Sequence, residues 1–232
     1  MTFDEFLLSR VVFEIRYPKG YLFWDKGGAL LFKIEQEAPD LVAIKRNKDV
    51  YTIANQKLKL EANYNWERLS VDQAGVDNLN QFKKRTDLLW KIIYEELKIS
   101  EIKRVGTRFW FLSPKASKDT EALLTKAKIF GSKIEAGSIF GSELVTKDFT
   151  LIIKDGDIGI RIACGAATRQ PDAELDKDEK FLKYNPLEAL LVDIDIYTTK
   201  IAIDKFVPSE FIQKAYKRIE ANLIKLLAEV KK

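Results

Sequence analysis

The sequence predicts an α+β protein with two mostly antiparallel sheet units, each backed by a long helix. Many short segments alternate apolar and polar residues, which is typical of strands with one buried face. Two longer segments, residues 77–98 and 208–231, instead carry apolar residues at steps of three and four, the spacing of a helix with one buried stripe. The strands are grouped and do not alternate regularly with helices, which favours antiparallel pairing over a parallel sheet.

The N-terminal half, residues 1–114, has the pattern of a strand, a short helix, a meander, a long helix and a strand. Asp25 is expected to cap the short helix and Pro39 to end it, since the residue before a proline is disfavoured in helical geometry. Turn signals between short alternating segments indicate the meander. The predicted bounds are, in the same order, residues 10–17, 25–38, 41–71, 77–98 and 102–112.

The segment of residues 115–147 is the expected helical or loop connection between the halves. It contains a predicted helix near residues 118–130, ended by Gly131 in the usual C-terminal glycine position. The C-terminal half, residues 148–232, begins with a hairpin that turns at Asp155–Gly156. A solvated charged loop, a strand and the second long helix follow. Their bounds are residues 170–183, 187–197 and 208–231. The two halves are also compatible with one compact domain.

The composition excludes several kinds of site. The 232 residues include no histidine and one cysteine, Cys164, which rules out Ser-His-Asp triads, histidine zinc sites, iron–sulfur clusters and intrachain disulfides. The net charge of +4 is spread along the chain, without the basic stripe that is typical of nucleic-acid binders. No apolar run approaches the roughly 20 residues of a membrane span, and the N-terminus lacks the basic region of a secretory signal. We therefore expect a cytoplasmic protein that does not enter a membrane.

Asp193 and Asp195 are the candidate metal ligands. At positions i and i+2 of a strand, both carboxylates project from one face, while Val192 and Ile194 project from the other. Hard cations such as Mg²⁺ take carboxylate oxygens, so the pair, with Glu14, suits a metal site for phosphoryl transfer. No glycine-rich phosphate loop precedes it, however, and a strand face paired with arginines is the simpler interpretation. We expect no cofactor, with Mg²⁺ at the two aspartates as the alternative.

A second candidate site consists of strand-borne arginines with one glutamate. The ligand-binding candidates are Glu14, Arg16, Arg104, Arg108 and Arg161. If their strand faces meet the face that carries the two aspartates, arginine forks satisfy the carboxylates, and a surplus of arginine suits an anionic ligand. The alternative is a set of ordinary cross-strand ion pairs, which contribute little when they are exposed.

Aromatic residues near arginines indicate a third kind of site. The residues concerned are Tyr64, Trp66, Phe109 and Trp110, which lie close in sequence to Arg68 and Arg108. Aromatic rings beside cations can stack nucleic-acid bases. Aromatics with a period of two in an antiparallel sheet are more often core residues, and the sequence has no basic stripe. Nucleic acid is therefore the less favoured ligand.

Three motifs together resemble those of a known family. They are VFEIRY at residues 12–17, RVGTRF at residues 104–109 and LLVDIDIY at residues 190–197. Their order and spacing are similar to those of a sporadically distributed, uncharacterised prokaryotic family of about this length, which has no established activity. The resemblance implies that the three strands form a shared scaffold, and it supplies no catalytic residues.

These observations leave three functional hypotheses open. The first is a non-enzymatic module that binds a protein partner or an anionic ligand, either alone or as a homo-oligomer. The second is a metal-dependent phosphoryl-transfer enzyme that uses Asp193 and Asp195. The third is a nucleic-acid-binding module that uses the strand aromatics and arginines. The histidine-free composition favours the first, because it removes the commonest general base and metal ligand.

Overall fold

The strands of the described chain form one antiparallel sheet. The structure, a computed structural model, describes residues 2–113, 149–166 and 190–231. The strands are β1 (Leu7–Arg16), β2 (Val42–Arg46), β3 (Tyr51–Asn55), β4 (Leu60–Tyr64), β5 (Arg68–Ala74), β6 (Arg104–Leu112), β7 (Phe149–Asp155), β8 (Ile158–Ala166) and β9 (Leu190–Thr198). Within these residues the nine strands pair in the order β2-β3-β4-β5-β1-β6-β9-β8-β7, and every neighbouring pair is antiparallel.

The prediction of two sheet units is wrong, because β6 of the first half pairs with β9 of the second. The register places Arg108 opposite Asp195 and Trp110 opposite Asp193. Because β8 and β7 then continue from β9, the strands of both halves belong to the same sheet. The coarser prediction, a mixed α and β protein with antiparallel pairing, is confirmed.

Three α-helices of the described chain pack against one face of this sheet and share its core. They are α1 (Leu22–Glu37), α2 (Leu79–Leu97) and α3 (Pro208–Lys231). The proline at the first position of α3 was predicted, since its missing N–H is not needed there. Asn78 caps α2 by accepting hydrogen bonds from the N–H groups of Asn80 and Gln81, one residue after the predicted start at Asp77. The helix α1 begins earlier than predicted, so Asp25 lies in its first turn, where a carboxylate is favoured by the helix dipole.

The hairpin of the C-terminal half is confirmed. Its strands β7 and β8 meet at a turn in which Gly156 has a φ of +58°, a left-handed conformation that glycine adopts without steric cost. The predicted helix near residues 118–130, its Gly131 cap and the charged loop at residues 170–183 lie outside the described residues. Among the helices that are described, none is both long and apolar enough to cross a membrane.

The two faces of the sheet differ in chemistry. On β1, residues Val11, Phe13 and Ile15 are fully buried against the helices, and the core residues of the other central strands share this alternation. Because side chains alternate along a strand, the residues between them project from the opposite face. We call this opposite surface the polar face, and it carries all the ligand-binding and metal-binding candidates.

Candidate functional site

The polar face brings the sequence-predicted charged residues together on five adjacent strands. In the described chain, the charged residues of this face are grouped by strand as follows: Arg68 and Asp72 on β5; Arg10, Glu14 and Arg16 on β1; Arg104 and Arg108 on β6; Asp193 and Asp195 on β9; and Arg161 on β8. Neighbouring strands lie about 4.8 Å apart, so arginines and carboxylates of adjacent strands are within reach of each other. The strand faces that carry the arginines and the two aspartates therefore meet on one surface, as an arginine site requires.

Asp193 is the most enclosed carboxylate of the polar face. Arg108 donates two hydrogen bonds to it as a fork, one of them 2.6 Å from Nε to Oδ1. The indole Nε1 of Trp110 donates to the same Oδ1 at 3.0 Å, and Nη1 of Arg161 lies 3.3 Å from Oδ2. The side chain of Asp193 keeps only 10% of its exposure. Its oxygens are thus satisfied by donors from three side chains, as a buried carboxylate requires.

Asp195 is held more loosely than Asp193. Its Oδ2 lies 3.4 Å from Nη2 of Arg104. Burial raises the pKa of the Asp195 carboxyl, and the positive charges of Arg104 and Arg108 act in the opposite direction. Removal from water therefore outweighs ion pairing for this group.

The surroundings of the two aspartates favour arginine pairing over a metal. Arg108 and Arg161 both point guanidinium groups at Asp193, and Arg104 points one at Asp195, and these positive charges repel a cation. Among the described residues, no three acidic, cysteine or histidine side chains come together as metal ligands. The metal role of the pair stays a prediction.

Three arginines stand side by side at one end of the polar face. Arg16 on β1 lies directly opposite Arg68 on β5 and directly opposite Arg104 on β6. We call these three residues the arginine row. Like charges placed directly opposite each other on a sheet are destabilising, so the row requires negative charge near it.

Glu14 supplies this negative charge from within the row. Its Oε1 accepts a hydrogen bond from Nε of Arg16 at 2.7 Å and lies 3.4 Å from Nη1 of Arg104, and its Oε2 lies 3.6 Å from Nη1 of Arg68. One carboxylate therefore serves three guanidinium groups. The only other carboxylate paired with the row within the described residues is Asp195, through Arg104.

Aromatic rings on the polar face are already covered by arginines. The guanidinium carbon of Arg10 lies 4.7 Å from the ring centre of Trp110, and that of Arg108 lies 5.2 Å from it. Arg104 lies 4.7 Å from the ring centre of Tyr197. A Cβ at Gly159 would lie 2.3 Å from Cζ of Tyr197, so this ring rests on the sheet where there is no side chain.

The four aromatic residues predicted to stack bases have different positions. Tyr64 and Phe109 are buried in the core, and Trp110 is covered by the two guanidinium groups described above. Of the four, only Trp66, in the turn between β4 and β5, is partly exposed with no arginine of the described residues over its ring. Its ring stacks on that of Trp24 at a centroid distance of 5.7 Å, and Nζ of Lys19 lies 5.1 Å from its centre.

Sequence reasoning missed two parts of this surface. The first is the pair of hydrogen bonds that Arg10 donates to Asp72, with Nε 2.7 Å from Oδ1. The period-two pattern of β1 and β5 places both residues on the polar face, so this pattern could have predicted the contact. The second is an exposed aromatic pair at the start of α1, with Tyr21 at the N-cap and Trp24 within the helix. Both rings lie off the buried stripe of α1, which could have identified them.

Comparison with known proteins gives no match for this chain, either among protein-family models or among curated protein sequences. The geometry of the site therefore carries the functional argument, and the resemblance drawn from the three motifs stays a prediction.

Proposed function

We propose that this protein is a non-enzymatic binding module whose arginine row takes an anionic group, from a ligand or from a protein partner. The observation that carries the proposal is the set of three guanidinium groups around the single carboxylate of Glu14. With Asp195 added through Arg104, the row still has more positive than negative charge. A bound anion would offset this excess.

The row also has hydrogen-bond donors to offer. Each guanidinium has five N–H groups in a planar fork that matches the oxygens of a phosphate or carboxylate. Within the described residues, Arg68 makes one ion pair, at 3.6 Å. The side chain of Arg16 is 51% exposed, so its outer edge reaches solvent and any ligand that approaches the polar face.

Glu14 and Asp193 support binding rather than catalysis. Both accept hydrogen bonds from arginines, and charge-assisted contacts of this kind fix the geometry of the guanidinium groups. We assign these carboxylates to positioning the arginines.

The test measures binding of pyrophosphate by titration calorimetry. We expect Arg16→Gln to weaken binding about 10- to 100-fold, because one charge-assisted hydrogen bond is lost. The matched control is Arg46→Gln on β2, since Arg46 is an exposed arginine whose ion pair with Glu35 spans 3.8 Å. The proposal fails if pyrophosphate does not bind, or if the two variants bind it equally.

A further inference from the structure

Three neighbouring aromatic rings, two of them exposed and one partly exposed, lie at the same end of the sheet as the arginine row. Tyr21, Trp24 and Trp66 follow one another with centroid distances of 5.8 Å and 5.7 Å, and we call them the aromatic ladder. Tyr21 is 64% exposed and Trp24 is 51% exposed. Large aromatic rings exposed next to one another are typical of a binding surface, because removing their apolar area from water is favourable.

The central ring of the ladder is anchored before any ligand arrives. The indole Nε1 of Trp24 donates a hydrogen bond to the carbonyl oxygen of Lys48 at 3.0 Å. The backbone beside Trp66 is also fixed, because its carbonyl oxygen accepts a hydrogen bond from the N–H of Gly20 at 2.5 Å. The anchored Trp24 ring therefore loses little conformational entropy on binding.

The ladder and the arginine row are joined through short stretches of backbone. Trp66 precedes Arg68 by two residues, which is about 7 Å in extended chain, and Lys19 follows Arg16 by three residues. The N–H of Tyr17 donates to the carbonyl oxygen of Glu67 at 3.0 Å and fixes the two segments side by side. A ligand at the arginine row therefore has stacked rings and the Lys19 ammonium within reach around the end of the sheet.

Resting on the function proposed above, we infer that the anionic ligand is a single-stranded nucleic acid. Its phosphates contact the arginine row, and its unpaired bases stack on the aromatic ladder. Such ligands are bound where a cationic track adjoins exposed aromatic rings, since every base has a flat face that stacks without sequence preference. The covered rings of Trp110 and Tyr197 take no part. Of the four aromatic residues predicted on the strands, only Trp66 belongs to this site.

The test compares two polyanions by their quenching of tryptophan fluorescence. The first is a thymidine oligonucleotide of about ten nucleotides, within the usual range of site sizes, and the second is inorganic polyphosphate, which has no bases. We expect the oligonucleotide to bind more tightly. Trp24→Ala should weaken oligonucleotide binding about 5- to 150-fold and leave polyphosphate binding unchanged, while Trp24→Phe, which keeps a ring, should retain most of the affinity.

The matched control is Phe32→Ala, which removes another exposed ring from α1 (61% exposed) and should leave both affinities unchanged. If polyphosphate binds as tightly as the oligonucleotide and Trp24→Ala has no effect, base stacking is overturned while the anion site stands. If neither polyanion binds, the proposed function fails as well. A duplex of the same sequence that binds as tightly as the single strand would also overturn the inference, because its bases are not available to the rings.

Discussion

Asp193 and Asp195 are two residues apart on one strand, but their surroundings differ. Asp193 receives a fork from Arg108 and an indole N–H. Asp195 pairs with Arg104 at the longer distance of 3.4 Å, and burial raises the pKa of Asp195. The environment of each carboxylate is therefore set by its hydrogen-bond donors and its burial, and not by its position in the Asp-x-Asp motif. This is why the motif alone did not distinguish a metal site from an arginine-paired strand.

The raised pKa of Asp195 predicts a pH effect on stability. The folded chain holds the Asp195 proton to higher pH than the unfolded chain does. The contribution of Asp195 to folding stability is therefore fully present below the unfolded pKa and is lost as pH rises through the folded pKa. The Asp195→Asn variant has no carboxyl group at this position, so its stability does not show this loss. We expect the free energy of unfolding of the natural protein, relative to this variant, to increase as pH falls from 7 towards about 4, measured by urea unfolding.

The control for this measurement is Asp157→Asn, which removes an exposed carboxylate paired with Lys200 and corrects for the change in net charge. A difference between the natural protein and Asp195→Asn that stays constant with pH, or that increases with rising pH, would contradict the assignment of the shift to burial.

At the scale of the elements, α1 lies in close contact with the sheet at Gly27. A Cβ at this position would lie 2.5 Å from Cε2 of Tyr51, whereas a Cβ at Gly28 would have no atom within 4 Å. The ring of Tyr51 is itself packed against Phe23 and stacked on Tyr64, with centroid distances of 5.3 Å and 5.5 Å. It has little freedom to move away from an added methyl group.

Substitution of the two glycines by alanine should therefore change stability in opposite directions. Gly28→Ala should raise the free energy of unfolding by about 1 kcal/mol, because alanine is the better helix former. Gly27→Ala gains the same helix propensity but overpacks the contact with Tyr51, at a cost of about 1–3 kcal/mol, so we expect a net loss. Urea unfolding of both variants tests this, and equal changes in the two would refute the close approach of helix and sheet.

The elements themselves were mostly predictable from the sequence, because their signals are local. Pro208 and the apolar stripe after it predicted the start of α3, and Asp155–Gly156 predicted the hairpin turn. The start of α1 was placed at Asp25 instead of Leu22, because Tyr21 begins this helix without a side-chain hydrogen bond. A capping rule that looks for polar side chains cannot find such an end.

At the scale of the whole molecule, the polar face could be predicted only in part. Alternation along each strand placed Glu14, Arg16, Arg104, Arg108 and Arg161 on one side of their own strands. Which strands are neighbours is decided by pairing between distant segments; Arg108 and Asp193, for example, are 85 positions apart. No local pattern carries this information, so the arginine row and the single sheet needed the structure.

The single sheet predicts that both halves unfold together. All four tryptophans lie within residues 1–114, while Cys164 lies in β8 of the other half. Burial raises the pKa of the Cys164 thiol to about 12, so the thiol is unreactive until the strand opens. In urea, we expect the transition in tryptophan fluorescence to coincide with that in pulsed thiol labelling of Cys164. Labelling of Cys164 at distinctly lower urea than the fluorescence change would show that the halves are independent.

The pairing of β6 with β9 also has a consequence for the chain during synthesis. The six strands from β2 to β6 in the sheet order all lie within residues 7–112, so they can pair on the ribosome before β9 has been translated. In a sheet of these six strands alone, β6 would be an edge strand, and edge strands are where different chains aggregate. Arg104 and Arg108 place two charges on that edge and oppose such pairing. We therefore expect the two arginines that hold Asp193 and Asp195 in the complete sheet to oppose aggregation at this edge before β9 is translated.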